Sequence, residues 1–409
     1  MQYQVSFPVD PIVGNIKLPA SKSITNRVLI IRALSLDYFP VYNISDSDDS
    51  KVLEAALSNL EDIEYNIGHA GTAMRFLTAL FAVLPGERVL TGSERMHQRP
   101  VAPLVNALRE LGADISYQKE EGYPPLLIRG KKLEGREITI PANMSSQFIS
   151  ALMLIAPTLP AGIRISLQGR VLSRPYLKMT AELMRLAGVR VNFVDTTIDV
   201  FPGKYHFDTF TIESDWSAAS YWFAFAGMSP RSQFVLQGLH KNSLQGDAAL
   251  VNIFEDIGVK TVFAKEGLQL KHTLNDKKCF DYDFRDQPDL AQTLAVYLAL
   301  QNIPFHLKGL HNLSIKETDR IAALVNELGK LGYVLKQNNN GELFWDGTKK
   351  PLNSKTILTY NDHRMAMAFA VAASFFEQLK INEPNVVTKS YPGFWKDLKK
   401  VGFGIVRVN

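Results

Sequence analysis

Two kinds of helical segment alternate along this chain, six of each, and that alternation restricts the folds open to it. The first kind opens on small polar residues and then turns almost wholly apolar. Its members are SKSITNRVLIIRALS from Ser21, AGTAMRFLTALFAV from Ala70, SSQFISALMLIAP from Ser145, SDWSAASYWFAFAG from Ser214, PDLAQTLAVYLAL from Pro288 and NDHRMAMAFAVAAS from Asn361. A helix apolar on most faces has to be buried on most faces. The second kind carries one apolar stripe and usually ends in glycine ahead of a β-rich run. Its members begin at Asp46, Arg99, Ser173, Gly246, Lys316 and Tyr391, as in RPVAPLVNALRELGADISY and KETDRIAALVNELGKLGYVL. Glycine at that point predicts a left-handed residue closing the helix.

The first-kind helices start at 21, 70, 145, 214, 288 and 361, so the intervals are 49, 75, 69, 74 and 73 residues. Short β-rich runs lie between helices, among them VLTGSERM, LLIRG, ITIPA, IRISLQG and FVLQGL. The spacing predicts one βαβαββ unit repeated six times, with the first interval too short for all its strands. Buried helices inside each unit suit compact three-unit domains better than an open solenoid, and 409 residues suffice for two to four domains. A net charge of +4 is too weak to argue for nucleic acid. The single Cys279 excludes a disulfide framework and a cysteine-based zinc cluster. MQYQVSFPVD lacks the basic-then-apolar order of a signal peptide, and runs such as 366–376 are too short to span a bilayer. The expectation is a cytoplasmic protein with no membrane partner.

A buried helix with a polar start presents unpaired N–H groups and the positive end of its dipole, which together make an anion seat. Lys22 and Arg27, Arg75 and Arg364 lie within the first turns of such helices, while Ser145, Ser146 and Gln147 supply neutral donors. Arg99, Lys316, Arg320 and Lys389 cluster at second-kind starts, where the dipole opposes a cation unless an anion joins it. One such residue alone reads as a solvated surface cation. Their recurrence at helix starts points to a deep basic cleft for a small, multiply charged anion. Asp215, Asp289 and Glu317 stand at similar positions, where capping and catalysis compete as explanations, and Asp48 and Asp49 read mainly as caps. His363, between Asp362 and Arg364, is a further candidate against the ordinary structural role of a lone histidine. His69, His97 and His311 have no metal-ligand spacing, and no Walker loop, GxGxxG turn or GxSxG elbow is present.

SKSITNR, GHAGTAMR, RMHQRP, SSQF, SRPY, KETDR and NDHRMAMAFAVAA, in that order, resemble the 5-enolpyruvylshikimate-3-phosphate synthase family of enolpyruvyl transferases over nearly the whole chain. The resemblance implies an α/β (α+β) fold: a two-domain, inverse α/β barrel-like architecture of six βαβαββ units, three per domain. The chain would cross twice, residues 19–213 forming one domain and residues 1–18 with 214–409 the other, with the active site in the cleft between them. It implies transfer of the enolpyruvyl group of phosphoenolpyruvate to the 5-hydroxyl of shikimate 3-phosphate, without metal or organic cofactor, by a monomer that binds no nucleic acid. By motif, Lys22 would touch both substrates. Ser23, Arg27, Ser145, Ser146, Gln147, Ser173, Asp289, Asn312 and Lys316 would bind shikimate 3-phosphate. Gly71, Arg99, Gln147, Arg320, Arg364 and Lys389 would hold phosphoenolpyruvate, with Arg75 supporting the glycine turn. Glu317 would serve proton traffic at C3, Asp289 would orient or deprotonate the target hydroxyl, and Lys22 or Lys389 would act as acid.

Three departures stand out. His69 replaces the usual Asn before Ala-Gly-Thr, the stretch from Ser58 to Tyr65 is short, and Ser314 replaces a common basic residue. The nearest rival, an enolpyruvyl transferase acting on UDP-N-acetylglucosamine, opens with Asn after the lysine and carries a cysteine before its Arg-Pro. Here Ser23 follows Lys22, and SERMHQRP has no cysteine. A non-catalytic polyanion-binding module is the other alternative, disfavoured by the near-neutral charge and by the acids among the cations.

Overall fold

The computed structural model describes residues 1–9, 11–142 and 145–408. Its helices are, in chain order, α1 (Lys22–Leu34), α2 (Asp48–Ser58), α3 (Gly71–Val83), α4 (Glu94–His97), α5 (Ala102–Glu110), α6 (Ser146–Ile155) and α7 (Arg174–Leu186). There follow α8 (Trp216–Met228), α9 (Leu250–Glu255), α10 (Ala291–Leu300), α11 (Arg320–Lys330), α12 (His363–Ala370) and α13 (Phe394–Lys400). The chain divides into two compact units: a continuous one, Ala20–Ile212, and a two-piece one, Met1–Pro19 with Glu213–Asn409.

In the continuous unit, Glu64–Asn66 leads through α3 to Gly86–Thr91, which runs parallel to it. After α5 comes an antiparallel pair, Asp114–Tyr117 and Leu126–Gly130, whose second strand also pairs with Gly86–Thr91. The same order recurs from Glu137–Pro141 through α6, Ile163–Gln168, α7 and the hairpin of Val191–Val194 with Thr197–Val200. Around α1 and α2 the pattern is cut short: Phe210–Thr211 pairs in parallel with Val41–Tyr42, and no hairpin completes that sheet among the described residues. This is where the 49-residue interval falls.

The two-piece unit has three complete sheets. Val13–Lys17 runs parallel to Gln233–Gln237 after α8, and the hairpin Val259–Ala264 with Gly267–His272 follows α9. Phe280–Asp283, Phe305–Lys308, Lys336–Asn338 and Glu342–Trp345 repeat the arrangement around α10 and α11. The last sheet begins with Thr356–Ile357 parallel to Leu379–Asn382 and ends with Gly404–Val408. Its remaining strand is Gln2–Ser6, which sits between those two and pairs antiparallel with both. Six βαβαββ units, one of them shortened, thus form two groups of three.

The two helix types behave as their patterns require. Every residue of α10 and α12 is buried, and α3, α6 and α8 are nearly so. α7 and α11 bury one stripe each. Gly112, Gly188, Gly258, Gly332 and Gly402 close second-kind helices at φ values of +98° to +104° or slightly less, down to +84°. At these points a side chain would be strained. α2, in the shortened unit, ends on Asn59 instead. The run VLTGSERM is only half strand: it leaves the sheet at Thr91, and Glu94–His97 forms a single helical turn because Ser93 Oγ accepts the Met96 N–H at 3.3 Å.

Candidate active site

In the continuous unit, side chains singled out in the sequence tie together the first turns of α1, α3 and α6. Arg27 is 3% exposed. Its Nε donates to Thr180 Oγ1 at 2.7 Å, its Nη2 to Ser150 Oγ at 3.2 Å and the Tyr176 carbonyl at 3.4 Å, and its Nη1 to the Ser23 carbonyl at 2.9 Å. Burial pulls this guanidinium down to about 10, which leaves it cationic at neutral pH. Four of its five N–H groups are therefore engaged inside the unit. Arg27 braces α1 against α6 and α7, so the ligand contact expected of it falls to the remaining Nη1 hydrogen.

Lys22, at the first turn of α1, donates to Asp49 Oδ2 at 3.2 Å. The reading of Asp49 as a cap is corrected here. Ser47 is the N-cap of α2, accepting the Ser50 N–H, and Asp49 faces Lys22 from the first turn. Gln147 Nε2 donates to Thr72 Oγ1 at 3.1 Å, bringing the start of α6 onto the start of α3, and Ser145 Oγ caps α6. Ser146 and Ser173 are buried, Ser173 in a left-handed conformation just before α7.

Gly71 opens α3, and the Arg99 guanidinium lies against it: a β-carbon on Gly71 would stand 2.6 Å from Arg99 Nη2. Arg75 donates to the Gly71 carbonyl at 3.2 Å and to the Pro100 carbonyl at 2.9 Å, fastening the two segments together. Arg99 was expected to oppose the dipole of the helix that follows it, but α5 begins only at Ala102. The dipole it meets is that of α3. A buried cation at a helix N-terminus is unfavourable until an anion joins it.

The two-piece unit gathers acids and cations into one buried lattice. Arg320, at the start of α11, donates from Nε to Asp362 at 2.7 Å, from Nη1 to Asp289 at 3.1 Å and from Nη2 to Glu317 at 2.9 Å. Arg364 Nη2 meets the other Asp289 oxygen at 2.8 Å. Side-chain exposure is 2% for Arg320, 0% for Asp362, 7% for Arg364 and 18% for Asp289, so these charges interact in a weakly screened setting. Burial alone would pull the Arg320 guanidinium down; Asp362, Glu317 and Asp289 together push it up. Asp362 also caps α12 through the Arg364 N–H at 2.8 Å.

Lys316 and Glu317 are not helical, although the KETDR motif had suggested that a helix starts there. Asp319 is the N-cap of α11, and both residues precede it in an irregular turn, with Asn312 further upstream in the short helical turn His311–Leu313. Lys389 ends the turn Pro384–Lys389 and donates to the Asn361 carbonyl at 2.5 Å. His363 is 1% exposed, its Nδ1 3.8 Å from Asp362, a placement that suits a structural histidine better than a group exchanging protons with a ligand. Asp215 caps α8 through the Ala218 N–H at 2.8 Å. The sequence reading missed Asp247. This residue is 3% exposed, accepts the Ser217 hydroxyl, and is pushed up to about 7 by burial and by the neighbouring charge of Asp289.

The EPSP synthase (3-phosphoshikimate 1-carboxyvinyltransferase) family model matches residues 55–398. A Bacteroides fragilis 3-phosphoshikimate 1-carboxyvinyltransferase is 50% identical over 407 residues, covering 99% of both chains. The chain belongs to the EPSP synthase family. A Haemophilus influenzae 3-phosphoshikimate 1-carboxyvinyltransferase is 34% identical, covering 96% of this chain and 98% of the relative. The solved EPSP synthase of Acinetobacter baumannii has the same fold, with a TM-score of 0.79 at 19% identity over 99% of this chain and all of that one. Among the described residues, no helix is long and apolar enough to cross a membrane.

Proposed function

We propose that this chain transfers the enolpyruvyl group of phosphoenolpyruvate to the 5-hydroxyl of shikimate 3-phosphate and releases inorganic phosphate. The hydroxyl adds to C2 while C3 takes a proton, and the tetrahedral adduct then expels phosphate from C2 as C3 gives a proton back, which restores the enol double bond. The observation that carries this reading, beside family membership, is Asp289 held by Arg320 on one oxygen and by Arg364 on the other, with Glu317 on the same Arg320. An anion arriving at these guanidiniums competes with both carboxylates. Binding the phosphate and carboxylate of phosphoenolpyruvate at Arg320, Arg364 and Lys389 would thereby loosen the acids at the moment protons must move. Asp289 then accepts the proton of the attacking hydroxyl, and Glu317 serves C3.

The continuous unit supplies its own set. Lys22 acts as acid toward the departing groups. Ser23, Arg27, Ser145, Ser146, Gln147 and Ser173 hold shikimate 3-phosphate. Gly71 and Arg99 receive phosphoenolpyruvate, with Arg75 keeping the glycine turn in place. Holding two mutually repelling anions in reacting geometry supplies up to about 7–11 kcal/mol of the barrier. Substrates this highly charged do not cross bilayers unaided, which supports a reaction in the cytoplasm.

The test is phosphate release from shikimate 3-phosphate and phosphoenolpyruvate, run beside UDP-N-acetylglucosamine as acceptor. Release with the first acceptor alone is expected. Release only with the second, or none at all, would overturn the assignment.

A further inference from the structure

Tyr360 and Asn361 lie immediately before α12 with φ of +53° and +55°. Two successive non-glycine residues in the left-handed region persist only where their surroundings impose it. We propose that Glu327 and Tyr360 are positioning residues for Arg364 and Lys389, acting through this left-handed turn rather than by touching substrate.

Glu327 is 0% exposed on α11. Its Oε1 accepts the Tyr360 hydroxyl at 2.6 Å and its Oε2 accepts the Leu358 N–H at 3.0 Å. Lys330 donates to both oxygens at 2.8 Å, balancing the buried charge. Burial and then Glu327 push the Tyr360 phenol up to about 12, so its O–H remains a donor at neutral pH. Held this way, the turn aims the Asn361 carbonyl at Lys389. It also delivers Asp362 to the Arg364 N–H and to Arg320 Nε. Glu327 follows Arg320 by seven residues, two turns along the same helix face. One face of α11 thus grips the segment at two points, through Glu327 at Leu358 and Tyr360 and through Arg320 at Asp362. Neither Glu327 nor Tyr360 belongs to the substrate set proposed above, and the inference rests on that set.

The test is Tyr360→Phe, which removes only the donor, assayed by phosphate release with each substrate varied. The KM for phosphoenolpyruvate is expected to rise on the order of tenfold, the scale of one hydrogen bond to a charged group. The KM for shikimate 3-phosphate and the thermal melt should stay close to wild type. Adding Asn361→Gly, which adopts positive φ without strain, should recover much of the loss. An unchanged phosphoenolpyruvate KM, or both KM values rising together with a falling melt and no recovery by glycine, would overturn the inference. Should the wild type release no phosphate, the functional reading fails on its own. Calorimetric binding of inorganic phosphate then decides the inference: weaker binding by Tyr360→Phe supports it, and equal binding overturns it.

Discussion

A single missing β-carbon governs where Arg99 can stand. Gly71→Ala would drive the guanidinium away from the start of α3. What it meets is the flexible tip of a side chain, so the fold should survive. The expected outcome is a thermal melt near wild type with a several-fold higher KM for phosphoenolpyruvate, read by steady-state kinetics. A lowered melt with unchanged KM would mean that Arg99 does not serve the ligand. Asp247 gives a second test at this scale. Its carboxyl lies near 7 in the folded chain against an ordinary 3.8. Between these values the unfolded chain sheds a proton that the native chain keeps, so stability falls as pH rises through that window. Asp247→Asn should flatten the decline, seen as urea midpoints compared at pH 5 and pH 8.

Among the elements, the starts of α10, α11 and α12 share one ionic lattice, and its weak point is Arg320. Arg320→Ala would leave Asp362 buried and uncompensated, at a cost of about 3–5 kcal/mol measured by denaturant unfolding. A loss under about 1 kcal/mol would mean that Asp362 is balanced by other groups. The existence, order and buried faces of the helices were legible in the sequence, because period and closing glycines are local signals. The residue types of the site were legible for a similar reason, as polar and charged groups gathered at helix starts. Their partners were not. Lys22 with Asp49, and Arg320 with Asp362, join different elements, and the register between elements is absent from a one-dimensional pattern. Local capping also misled at KETDR, where Glu317 looked like a first-turn acid and Asp319 proved to be the cap.

For the molecule as a whole, the decisive strand is Gln2–Ser6, paired on both edges within the last sheet. Removing residues 1–6 would strip Gly404–Val408 of its partner. The two-piece unit should then become protease-sensitive while fragments of residues 20–212 resist digestion; equal resistance of both units would show that the strand is dispensable. The same pairing imposes a timetable on the ribosome. At roughly 5–20 residues per second, Gln2–Ser6 emerges about 20–80 s before Gly404–Val408 can meet it. The inserted unit has both ends available long before that, so it can finish folding during translation while Gln2–Ser6 still waits for Gly404–Val408.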